Sequence, residues 1–167
     1  MQVVSSNIDY TIYQDAGPIT NASNNVGVFR FDIIDGGSSA PDADALGTEL
    51  NSITFSLGAT HAAFIRTAAL FDGLSMRANA PTINVGAGTI TFSGLSGANF
   101  TAADNDTLTL TLRVSFLTTV TDNAQLQFTV SAATANASGS VFAVANAGAA
   151  TSSIVGDRNK LEVTATK

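Results

Sequence analysis

The sequence predicts an all-β fold: an antiparallel β-sandwich, immunoglobulin-like or jelly-roll-like, with about nine or ten strands. Three observations predict it. Apolar and polar residues alternate with period two along most of the chain. The breaks between alternating runs carry Gly, Asn and Asp, the residues of tight turns. No stretch sustains a helical repeat; 98–104 and 132–138 are rich in Ala but short and bounded by Gly, Asn or Asp. Many short strands, each apolar on one face, bury those faces by packing two sheets together.

In chain order the strand candidates are 7–14, 26–34, 50–57, 63–71, 74–78, 82–85, 89–93, 106–117, 125–131, 140–145 and 160–166. The clearest is 106–117. There Leu108, Leu110, Leu112, Val114 and Phe116 alternate with Thr107, Thr109, Thr111, Arg113 and Ser115, so one set faces a core and the other faces water. Leu126, Phe128 and Val130 repeat the pattern against Gln125, Gln127 and Thr129. Asp72-Gly73 reads as the centre of a type I′ hairpin, with both residues at positive φ. Gly86-Ala87-Gly88 reads as a second hairpin and Asp122-Asn123 as the turn between the two best strands. No linker or internal repeat divides residues 1–167, which read as one domain with its own core.

Composition narrows the function. Charged residues make up only 12% of the 167 residues, and Ser, Thr, Asn and Gly supply the polar surface. The net charge is −6 and the only lysines are Lys160 and Lys167. Without clustered cations the chain is a poor ligand for nucleic acid or an anionic membrane. No apolar run approaches the ~20 residues of a membrane-spanning helix. Residues 1–20 hold Asp9 and Asp15 and no basic lead-in, so they do not read as a signal peptide. If the chain is exported, its leader has been removed or belongs to a longer precursor.

Catalytic chemistry finds little to work with. There is no cysteine, hence no thiol nucleophile and no thiolate metal site. The single histidine, His61, sits in the Gly58-Ala-Thr-His turn and reads as a packed or loop-tip residue, with no Gly-x-Ser-x-Gly elbow to make it part of a triad. There are two glutamates, Glu49 and Glu162, and no tryptophan to form a sugar platform. The chain is therefore read as non-enzymatic.

The acidic loop 35–49 stands out. Asp35, Asp42, Asp44 and Glu49 lie in it with no cation, and Asp-x-Asp spacing is used in calcium loops. Asp104 and Asp106 form a second such pair just before the best strand. These six residues are the candidate calcium ligands; the competing reading is that Asp merely suits turns. The row Thr107, Thr109, Thr111 is what a solvent-facing strand looks like, and also what an ice-ordering array looks like.

Several segments together resemble a repeat family of very long secreted surface proteins of Bacteroidota. They are Phe31-Asp-Ile-Ile-Asp-Gly-Gly-Ser38, Asp42-Ala-Asp-Ala-Leu-Gly-Thr-Glu-Leu-Asn-Ser-Ile-Thr-Phe-Ser56, Ala69-Leu-Phe-Asp-Gly73, Ile90-Thr-Phe-Ser-Gly-Leu95 and Asp122-Asn-Ala-Gln-Leu-Gln-Phe-Thr-Val130. The ending, Gly148 to Ala165, looks like the close of one repeat. The likeness covers about 26–166 and is one of whole-domain pattern rather than of a catalytic motif. It implies tandem β-sandwich modules, export by the type IX pathway, a bacterial cell-surface location and a structural or adhesive role. The partners it implies are neighbouring repeats or identical subunits. Asp106-Thr107-Leu108 also fits the short O-glycosylation pattern of such proteins. A Lys–Asn isopeptide staple would need a core lysine, which only Lys160 could offer. The alternative reading is a jelly-roll carbohydrate-binding module that recognises surface glycans.

Overall fold

A computed structural model describes residues 7–14, 16–35, 45–139, 142 and 159–162, with backbone only for Asn7 and 159–162. The protein is an all-β sandwich. Its strands are β1 (Asn7–Asp9), β2 (Val26–Ile34), β3 (Thr48–Ser56), β4 (Ile65–Asp72), β5 (Ser75–Ala78) and β6 (Thr82–Asn84). β7 (Thr89–Phe92), β8 (Thr101–Ala102), β9 (Thr107–Phe116), β10 (Gln125–Leu126), β11 (Thr129–Ala135) and β12 (Asn159–Glu162) follow. The larger sheets run β2-β9-β4-β5 and β11-β3-β7-β6, with β8 beside the start of β3; a three-stranded strip runs β1-β12-β10. Most neighbours are not consecutive in sequence, so the chain crosses between sheets rather than meandering.

Aromatic rings join the layers. Phe29 and Phe31 of β2 meet Phe55 of β3 edge-on, with centroids 5.8 and 5.6 Å apart, and Phe55 meets Phe92 of β7 at 6.4 Å. Of the predicted inward rows, Leu110, Leu112, Val114 and Phe116 on β9 and then Leu126, Phe128 and Val130 are buried, with Leu108 half-buried at the strand's start; Ser115, expected in the outward row, is buried too, beside the loop of Gly17, Pro18 and Asn25. Gly86–Gly88 does form a turn, with Asn84 paired to Thr89 across it and Gly88 at φ +69°. Asn123 takes φ +62° in the Asp122-Asn123 turn.

Four expectations need correction. The strand expected over 7–14 stops at Asp9, because the Asp9 carboxylate accepts hydrogen bonds from the Thr11 N–H and O–H and caps a 3₁₀ turn over Tyr10–Tyr13. The hairpin centre lies one residue later than expected. Asp72 pairs with Ser75, so Gly73-Leu74 is the loop; Gly73 alone has positive φ, the pattern of a type II′ turn. The strand expected over 125–131 is two strands, since β10 pairs with β12 and β11 with β3 as the chain changes sheets. The Ala-rich tail continues β11 to Ala135, against its low β propensity, because β3 offers it a full ladder. One helical turn, α1 (Ala59–Ala62), occupies the expected Gly58–His61 turn. The strand expected over 140–145 and the end of that over 160–166 fall outside the described residues, apart from Phe142, which packs on the core.

A feature without a sequence expectation covers the outer face of β4. Ile19, Ala69 and Phe71 form a second apolar cluster, joined by Ala22 and Met76. Arg113 of β9 fastens the covering loop, donating to the Asn25 side chain and to the Ala22 and Asn25 carbonyls at 3.2 and 2.9 Å. Its guanidinium lies over the Phe71 ring, 5.3 Å from the centroid. Burial pulls the Arg113 guanidinium below its ordinary value, with Tyr13 acting in the opposite sense.

Candidate functional site

The strand directions define two poles. The β2–β3 loop, the turn before β9 and the β4–β5 hairpin share one end, which we term the inlet pole. The α1 turn, the β6–β7 turn and the 117–124 segment share the other, the outlet pole. β1 runs toward the outlet, where Gln14 donates to the Leu117 carbonyl just past β9. β12 pairs with β1 in parallel, with Asn7 opposite Lys160 and Asp9 opposite Glu162. The first and last described strands therefore lie side by side and point the same way.

The candidate calcium ligands gather only in part. Asp35 is 3% exposed and works as a buried staple. Its Oδ2 accepts from the Thr48 hydroxyl at 2.6 Å and its Oδ1 from the Asn105 N–H at 3.0 Å, while its own N–H donates to the Asp106 carbonyl at 3.0 Å. Asp35 thus ties the start of its loop to β3 and to the 104–106 turn, where Asn105 has φ +58°. Glu49 works elsewhere. Thr48 and Glu49 are consecutive on a strand and so face opposite ways, and the Glu49 carboxylate accepts the Gly97 N–H at 2.6 Å. Asp104 accepts from the Asn105 side chain and Asp106 from the Thr107 N–H, both within their own turn. Asp42 and Asp44 lie outside the described residues. Among the described residues no three acidic or histidine side chains form a group able to hold a metal ion.

His61 is half-buried in α1. Its Nδ1 lies 3.1 Å from the Leu57 carbonyl, and its ring meets Phe64 edge-on at 6.0 Å, a packing arrangement. Thr107 is exposed, as a modification site requires. Thr109 donates to Asp32 on β2 and Thr111 pairs with Arg30, so charged neighbours flank that row.

The larger hydroxyl array lies on the other sheet. Ser52, Thr54 and Ser56 of β3 line up with Thr89 and Thr91 of β7, Thr82 and Asn84 of β6, and Thr129 and Thr134 of β11. Ser52 and Thr134 bond at 2.6 Å and Thr54 and Thr91 at 3.0 Å. No charged residue occurs in 52–56, 82–84, 89–92 or 129–135. The signal, Ser-x-Thr-x-Ser beside Thr-x-Thr, stands in the sequence, but only the register reveals that the rows are neighbours.

An open groove of about 290 Å³ lies between the end of β5 and the segment after β7. Arg77, Asn79, Ser93 and Ser96 give it polar walls. Arg77 is held by Asp72 at 2.8 Å and Asn99 at 2.9 Å. Its two rings, Phe92 and Phe100, are buried in the core.

No protein-family model matches this chain, and neither a curated protein nor a solved structure matches it.

Proposed function

We propose that the chain is a structural, non-enzymatic module of a secreted bacterial surface adhesin or fibre, used as a stiff spacer in a head-to-tail array. The observation that carries this reading is the parallel pairing of β1 with β12. Parallel first and last strands keep the chain running in one direction, as modules that follow one another head to tail require. Antiparallel terminal strands would turn the chain back on itself. The Arg113 clamp and the Asp35 staple support the same reading, because each ties a loop to a strand and removes slack that an extended module cannot use.

Concatemers of one, two and four copies test it by small-angle scattering. The ten-residue β9 at ~3.3 Å per residue sets a minimum increment of about 33 Å in the longest dimension for each added copy. Increments well below that, with every copy still giving a cooperative melt, would overturn the array. The groove beside Arg77 favours a second reading, carbohydrate recognition, because its volume suits a sugar ring. Its aromatic rings are turned into the core, so the spacer reading has the stronger support. Specific binding on a glycan array would reverse that order.

A further inference from the structure

β12 sits between β1 and β10, parallel to the first and antiparallel to the second. It is the sheet partner of β1, so the first strand joins the strip through the last. The strands on either side carry core residues, Ile8 at 4% exposure and Leu126 at 0%. The slot between β1 and β10 therefore presents a backbone ladder on two sides, between strands that each bury an apolar side chain. Its occupant is remote in sequence. Phe142 packs on the core, and the connection 143–158 separates it from β12. A connection of that length reaches at most ~3.3–3.6 Å per residue, or roughly 55 Å, which exceeds the length of β9.

We infer that the β1–β10 slot is a strand-accepting site, and that the partner it fits is β12 of a second copy of this chain. The bonds that hold β12 are main-chain bonds, and the same strand from another copy makes the same set. Exchange of an identical element needs no new complementarity, only a connection long enough to reach. Two copies that exchange strands reciprocally close as a two-fold dimer. The tether keeps each copy's own strand at an effective concentration on the order of millimolar. The exchanged form therefore grows with protein concentration and forms on refolding, when the slot is open. This inference shares the β1–β12 pairing with the array reading and goes beyond it, from direction to exchangeability.

The chain has no cysteine, so introduced thiols report on this pairing alone. Asn7 and Lys160 are directly opposed, at the ~4.7–4.9 Å strand spacing that a disulfide tolerates. One sample is the double variant Asn7→Cys/Lys160→Cys. The other is an equal mixture of Asn7→Cys and Lys160→Cys chains, one carrying a size tag. Each is unfolded in urea, refolded at concentrations up to about a millimolar, oxidised and run on a non-reducing gel. The expected result is an intrachain cross-link in the dilute double variant. In the mixture, a heterodimer should exceed the homodimers of either single variant several-fold and rise with concentration. An intrachain cross-link in the double variant with no excess heterodimer in the mixture would overturn the exchange and leave the array reading standing. Failure of the double variant to cross-link would remove the β1–β12 pairing, and both would fall.

Discussion

Replacing Gly88 by alanine should damage the protein far more than the same change at Gly73, although both glycines sit in hairpin turns at positive φ. Gly88 has φ +69° and Gly73 φ +56°. Moving alanine into the left-handed region costs about 1–2 kcal/mol, the whole expected loss at Gly73, where an added Cβ meets nothing within 4 Å. At Gly88 the added Cβ would lie 2.4 Å from the Gly58 carbonyl carbon and 2.5 Å from the Ala59 nitrogen. Those are backbone atoms, and no flexible side chain can swing away. The β6–β7 turn must then separate from the lead into α1, which strains the Leu57 N–H to Gly88 carbonyl bond of 2.9 Å. Adding about 1 kcal/mol for that bond and about 1–3 for overpacking gives roughly 3–6 kcal/mol in all. Urea titrations followed by far-ultraviolet circular dichroism measure both variants. Losses within about 0.5 kcal/mol of each other would refute the argument, because they would mean that the contact between the turns carries no energy.

Leu112→Ala should cost about 2–5 kcal/mol in the same titration, since Leu112 is fully buried between Phe29 and Leu70 at the centre of its sheet. A loss under about 0.5 kcal/mol would contradict the buried row. Asp35→Ala should cost roughly 2–4 kcal/mol, because it strands the Thr48 hydroxyl and the Asn105 N–H. That loss should be the same in chelator and in about 5 mM calcium, a level above the range of weak extracellular sites. A distinctly larger loss in calcium would make Asp35 an ion ligand.

What could be read in the sequence was whatever alternation encodes. β2 and β9 are long strands beside each other, polar on one side, and their limits match the expectation almost residue for residue. Alternation also survives the passage from β10 to β11, because Leu126, Phe128 and Val130 point into one core that both sheets share. For that reason it hides the change of sheet. Around β4 the signal differs: Ala68, Ala69, Leu70 and Phe71 are all buried, since Ile19 and Ala22 cover the face that would otherwise meet water. The acidic residues show the limit most clearly. Spacing places Asp35 and Glu49 in one loop, but strand pleating turns their anchor points to opposite faces. The groups that occupy Asp35 include a backbone N–H 70 residues away. The parallel terminal pair leaves no local mark either, because strand direction is a property of the completed chain path.

The hydroxyl face of β3, β6, β7 and β11 bears on where such a module can work. Surfaces kept wet by ions change character with their medium: salt screens them within about 10 Å at 0.1 M, and acid or base alters their charge. A face wetted by Ser and Thr has nothing to screen and nothing to titrate across the ordinary pH range. The wetting of that face therefore answers far less to ionic strength and pH than does the opposite sheet, where Arg30 and Asp32 stand among the threonines of β9.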